Sequence, residues 1–174
     1  MRFQDIPRFT QDGTYEIDVF LNTLELLLND WEEKYGIDFN PDFQRGNVWT
    51  EEQQIAYVEF LLRGGKSAKV IYFNSPVFGN LGSMSELDST LLCVDGLQRL
   101  TAVLRFLRNE IKVFESYYSE YTDSPRIYTA LKFNVNCLTT RKEVLEWYLQ
   151  LNSGGTVHTA AELDRVRQLL DDCK

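Results

Sequence analysis

The segment LLCVDGLQRLTAVLRFL, Leu91 to Leu107, joins two periodicities. An apolar run stops at Val94, Asp95 and Gly96 break it, and an amphipathic pattern of helical spacing follows at once. A short apolar run bounded by a turn signal reads as a buried strand, and a 3.6-residue repeat as a helix. The chain must therefore contain a strand-to-helix joint with glycine at its elbow. Such a unit belongs in a sheet that carries helices.

The rest of the chain supplies both kinds of element. Apolar residues from Ile17 through Phe20, Leu21, Leu24, Leu28 and Trp31 to Tyr35 follow helical spacing, after an irregular stretch 1–16. Gly36 ends that helix, and IDFNPDFQRGNVW reads as a short extended piece and a Pro-containing turn. Thr50-Glu51-Glu52-Gln53, Thr140-Arg141-Lys142-Glu143 and Thr159-Ala160-Ala161-Glu162 are capping boxes, each opening a helix. The first of these helices should stop at Gly64-Gly65. AKVIYFN, residues 68–74, is a β-branched and aromatic strand. Residues 75–89 form a Gly- and Ser-rich loop, either a lid or an insertion. Residues 110–138 have strand-like ends around a tyrosine-rich middle. With no repeat or linker, residues 1–174 are expected to form a single α+β domain.

Several function classes fall away on composition. No window approaches the roughly 18 consecutive apolar residues of a membrane helix. The N-terminus carries no apolar signal region, so a cytoplasmic protein without membrane association is expected. Cys93, Cys137 and Cys173 are odd in number and far apart, which suits reduced thiols and no zinc site. A single histidine, His158, excludes chemistry that needs several. The formal net charge of −8 lacks the basic footprint of a sequence-independent DNA binder, although nucleic acid could still be held locally or through a partner.

Three stretches carry candidate chemistry. At Asp95-Gly96-Leu97-Gln98-Arg99, a helix start gathers unpaired backbone N–H groups at the positive end of the helix dipole, which suits an anion. Gly96 lets a phosphate approach, and Arg99 offers it a guanidinium fork. Asp95 could hold a metal or orient a nucleophile, and Gln98 could orient the same nucleophile. A plain N-cap with an i,i+4 salt bridge accounts for the same pentapeptide. Gln44 and Arg45 precede a second helix start; Arg45 could equally stack on Trp49 or pair with a carboxylate. Asn152, Ser153, Gly154, Gly155 and Thr156 combine short polar side chains with glycines that permit a nest of N–H groups, or a simple helix C-cap.

Taken in order, NPDFQRGNVWTEEQQ, VDGLQRLTAV and LNSGGTVHTAAEL resemble the N-terminal domain of GmrSD-type restriction endonucleases over roughly Ile37 to Leu170. That family is in turn similar to the ParB/sulfiredoxin superfamily, whose Gly-x-x-Arg helix start matches Gly96, Arg99 and Ala102. The resemblance implies a small mixed sheet flanked by helices, with a nucleotide phosphate at Gly96–Arg99. It also carries Asp95, Gly96, Gln98 and Arg99 onto a DGQQR pattern and Gln44 with Arg45 onto a QR segment. Asn152 falls at a metal- and phosphate-binding Asn of ParB proteins. Leu97 departs from the first Gln of DGQQR, and Leu151 from the ParB Glu. The HNH nuclease half of full-length relatives is missing from these 174 residues, which implies a stand-alone short version.

The expected function is NTP hydrolysis or phosphoryl transfer with Mg²⁺, linked to DNA modification, restriction or phage–host conflict. Asp95 would be the metal ligand or base, Gln98 would orient the nucleophile, and Arg99 and Arg45 would clamp phosphates while 152–156 closes over them. Asn152 is a second candidate metal ligand. A nucleoside triphosphate is the expected ligand, with DNA or a DNA-processing protein as a further partner. One alternative is a non-enzymatic sensor or inhibitor acting through a protein partner, in keeping with the acidic charge. A direct DNA nuclease ranks last.

Overall fold

The computed structural model describes residues 2–46, 48–78, 85–124, 131–153 and 160–173. Among them a five-stranded mixed sheet carries helices on both faces, an α+β arrangement. The strands are β1 (Tyr15–Val19), β2 (Ile37–Asp38), β3 (Val70–Asn74), β4 (Leu91–Asp95) and β5 (Leu131–Asn136), in spatial order β1-β5-β3-β4-β2. β5 runs parallel to β3 and antiparallel to β1, while β4 runs antiparallel to β3 and parallel to β2. The helices are α1 (Leu24–Tyr35), α2 (Glu51–Leu62), α3 (Leu97–Leu107), α4 (Arg141–Asn152) and α5 (Ala160–Asp171). No helix among the described residues is long and apolar enough to cross a membrane.

Alternation along the strands sorts side chains to two faces. Ile71 and Phe73 of β3, Leu91 and Cys93 of β4, and Leu131, Phe133 and Val135 of β5 join a cluster with α1, α2 and α3. Trp31 sits among three rings there, 5.9 Å from Phe73, 5.5 Å from Phe133 and 5.2 Å from Phe78. Cys93 is fully enclosed, as its apolar strand implied, and burial raises its thiol pKa. Val94 and Tyr72 turn to the opposite face, where a smaller cluster contains Phe43, Val144, Trp147, Tyr148 and Val166.

Local signals placed several elements well. Thr50 and Thr140 accept from the backbone N–H groups of Gln53 and Glu143, completing both capping boxes. The third box includes Thr159 and lies outside the described residues, although α5 begins at Ala160. Gly36, at φ 70°, closes α1, and Gly64, at φ 84°, follows the end of α2. Residues 79–84 of the 75–89 loop lie outside the described residues; Ser75 at its start ties to its end by donating to the Ser89 carbonyl.

The N-terminal helix is corrected. Ile17 is in strand β1, and the helix proper starts at Leu24 after a 3-10 turn over Leu21–Thr23. Tyr15, Ile17 and Val19 alternate with Glu16 and Asp18, so pairing with β5 places the apolar set on the core face. Their helical spacing relative to Leu24 is a coincidence of register. Nor is the stretch before β1 merely irregular. Gly13 exchanges two hydrogen bonds with the amide of Asn134, and Asn136 donates to the Gln11 carbonyl. A Cβ at Gly13 would lie 1.8 Å from the carbonyl oxygen of Val135, so only glycine passes there.

Candidate functional site

Asp95 is the last residue of β4, one residue beyond the expected strand end, and Gly96 caps α3 in the left-handed region at φ 101°. The elbow thus belongs to glycine, and Asp95 is not the N-cap. Its carboxylate instead accepts from Arg99 Nη2 at 2.5 Å, the expected i,i+4 pair. A Cβ on Gly96 would meet Ile71 Cδ1 at 2.8 Å and Arg99 Nη2 at 3.2 Å. The joint is therefore pressed against β3 as well as turned. Helix geometry leaves the first N–H groups of α3 without intrahelical acceptors.

Loop 40–49 is fastened beside this joint by side-chain amides. Gln44 Nε2 donates to the carbonyls of Cys93 and Val94, at 2.8 and 2.9 Å. Gln98 Oε1 accepts from the backbone N–H groups of Val48 and Trp49, and its Nε2 donates to the Gly46 carbonyl. Both glutamines are thus engaged in shaping the loop that carries Arg45. Trp49 packs on Tyr57 at 5.5 Å, which answers the stacking question: its ring anchors the start of α2.

From the other side, α5 reaches the same loop. Arg45 Nη1 lies 3.7 Å from Glu162 Oε2, so of the two sequence alternatives for Arg45, pairing with a carboxylate holds. Arg165 Nη2 donates to the Gln44 carbonyl at 2.9 Å. Phe43 stacks edge-on against Tyr148 of α4, 5.2 Å between centroids. Burial pushes the Tyr148 hydroxyl up to about 12, Arg45 opposes the shift, and Asp95 and Glu162 reinforce it.

These elements enclose a cavity of about 290 Å³ lined by Gln44, Arg45, Asp95, Gly96, Arg99 and Asn152, among others. That volume is near the low end of ligand pockets. The structure brings six of the sequence candidates, with Gln98, to one cavity wall. Ser153, by contrast, is exposed and its hydroxyl returns to the Gln150 carbonyl. Gly154, Gly155 and Thr156 lie outside the described residues. Asn152 Nδ2 donates to the Tyr148 carbonyl, which leaves Oδ1 as the atom it can offer a cation. Among the described residues no three His, Cys, Asp or Glu side chains converge as a metal cage.

Glu162 and Arg165 were not singled out as site residues. Glu162 was read only as the end of a capping box, and the contacts of both residues to the Arg45 loop join segments far apart in the chain.

Comparison with known proteins agrees with the first two of the three motif segments, and the third, residues 151–163, lies beyond the match. The family model described as the GmrSD restriction endonuclease, N-terminal domain, matches residues 24–136. None of the curated proteins and none of the solved structures matches the chain. With the match spanning well over half of the 174 residues and including both the Arg45 loop and the Asp95–Arg99 joint, the chain belongs to the GmrSD N-terminal domain family, and with it to the context of restriction systems.

Proposed function

We propose that the cavity at the start of α3 binds the phosphate chain of a nucleoside triphosphate and supports its hydrolysis or phosphoryl transfer. One observation carries this reading: Arg45 and Arg99, from segments distant in sequence, line one small cavity with the glycine-opened first turn of α3. Phosphoryl transfer depends mainly on positioning and charge stabilisation, and this set offers both. Arg99 must share its guanidinium between Asp95 and the ligand, which fixes its orientation beforehand.

In this reading Gln44 and Gln98 are positioning residues that hold the Arg45 loop to β4 and α3. Asp95 is the carboxylate of the cavity lining, and Asn152, on the same lining, has a neutral amide oxygen to offer. One carboxylate suits Mg²⁺, which commonly binds through few protein ligands together with substrate phosphates and water. The ion would supply charge neutralisation on the phosphates.

The direct test is calorimetry with ATP, GTP, CTP and UTP in the presence of Mg²⁺, with phosphate release followed in parallel. Binding with turnover, both lost in Arg99→Ala and Asp95→Ala, is the expected result. Absence of binding for every nucleotide would return the Asp95–Arg99 pair to an ordinary helix-terminal salt bridge.

A second reading is a sensor that binds nucleotide and signals to a protein partner without turnover. The commitment of Gln98 to the loop favours it, because that amide is engaged away from a nucleophile. Binding without phosphate release in the same experiment would select it.

A further inference from the structure

A second cavity, about 520 Å³ and open to solvent, lies across Arg45 from the first. Gln44 and Arg45 line both, and Asn40, Gly46, Glu162 and Arg165 line only the second. Arg45 is therefore a shared wall, with Arg99 on one side and Arg165 on the other. Glu162 lies 3.7 Å from Arg45, an ion pair longer than the roughly 2.7–3.2 Å of a direct hydrogen bond, so the carboxylate and the guanidinium stand together on the lining of this cavity. Arg165 is held over the loop through the Gln44 carbonyl, a contact that occupies one of the several donors in its guanidinium. Two cations and one carboxylate facing a common opening suit a charged group that undergoes attack by a neutral nucleophile.

Resting on the reading above, we propose that this second cavity receives the terminal phosphate of the triphosphate, with Arg45 and Arg165 as its clamps and Glu162 as the base for an attacking water. The inner phosphates then lie at Gly96–Arg99, and the chain passes Arg45. The water oxygen forms a bond to the terminal phosphorus as the bond from that phosphorus to the bridging oxygen breaks. The water proton passes to a Glu162 carboxylate oxygen, and the bridging electron pair leaves with the nucleoside diphosphate. The base and one clamp, Glu162 and Arg165 of α5, lie beyond the family-matched segment, so α5 takes part in setting the reacting end of the ligand.

The test uses the full chain with each of the four ribonucleoside triphosphates and the matching diphosphates, plus Mg²⁺. Native protein should prefer triphosphate to diphosphate. Arg165→Ala should weaken triphosphate binding about tenfold while leaving diphosphate binding within about twofold, the loss of one charge-assisted contact. Glu162→Gln should keep triphosphate affinity within about threefold and lower kcat at least about 100-fold, the scale of a general base. Unchanged thermal midpoints would show that both variants fold, and Glu162→Asp should recover part of the rate. Full turnover in Glu162→Gln, or an undiminished triphosphate preference in Arg165→Ala, would overturn the inference while leaving the first cavity intact. Native binding without turnover would remove Glu162 as a base. No nucleotide binding to native protein would overturn both this inference and the reading on which it rests.

Discussion

The face of the sheet under α1, α2 and α3 differs in material from the face under α4 and α5. The first is a wide apolar cluster in which Trp31, Phe73, Phe78 and Phe133 meet ring against ring. The second is a smaller cluster bordered by amides and charges, including the Asn134 clamp and the Arg45–Glu162 pair. Burying rings gives cohesion that is nearly indifferent to direction, whereas amide and ion contacts give little net stability but strict geometry. One face therefore holds the chain folded, and the other aims the candidate site. The elbow at Gly96 belongs to both, since it touches Ile71 of the apolar cluster and turns into the cavity.

The sharpest way to break that division is to damage the apolar face alone. Phe133→Ala should destabilise the protein by about 3–5 kcal/mol, the range for a buried aromatic truncation. Urea unfolding would measure this, and nucleotide affinity of the folded fraction should be unchanged. An equal loss of affinity would show that the faces are not separable. Gly96→Ala should act on both faces, because it strains a left-handed residue and brings a Cβ to 2.8 Å from Ile71 Cδ1. A loss of about 1–3 kcal/mol is expected, with ligand binding weakened beyond what stability explains. Thr140→Ala removes the cap of α4 and should cost about 1 kcal/mol while leaving the cavity residues in place.

The smallest effect at neutral pH comes from Tyr148. Unfolded, this hydroxyl ionises near its ordinary value of 10.0; folded, it keeps its proton up to about 12. The folded state binds more protons in that window, so this contribution is fully present below pH 10 and falls as pH rises toward 12. Denaturant titrations at alkaline pH should show the decline, and Tyr148→Phe should flatten its own share of it.

What could be read in the sequence was whatever is local. The boxes at Thr50 and Thr140 were legible because a hydroxyl three residues from a Gln or Glu can cap without outside help. The β4–α3 joint was legible because one short window contains both its periodicities. Strand β1 was misread because Ile17 satisfies helical spacing by accident, and only pairing with β5 decides its state. At the site, Asp95, Gly96 and Arg99 are neighbours in the chain, so their grouping was visible. The roles of Gln44 and Gln98 were not, since each amide bonds to backbone about 50 residues away, Gln44 to Val94 and Gln98 to Val48. The same blindness applies to Arg165 and to the pairing of Glu162 with Arg45.

Strand β1 has a consequence for where this protein can be cut. It lies before the family-matched segment 24–136, and α4 and α5 lie after it. A fragment trimmed to that segment would turn β5 into a bare edge, with a row of unsatisfied backbone groups inviting intermolecular pairing. It would also strip the cover from Val94 and Tyr72. Sequence kinship and structural self-sufficiency therefore have different borders here, and expression of the kinship segment alone should yield aggregate.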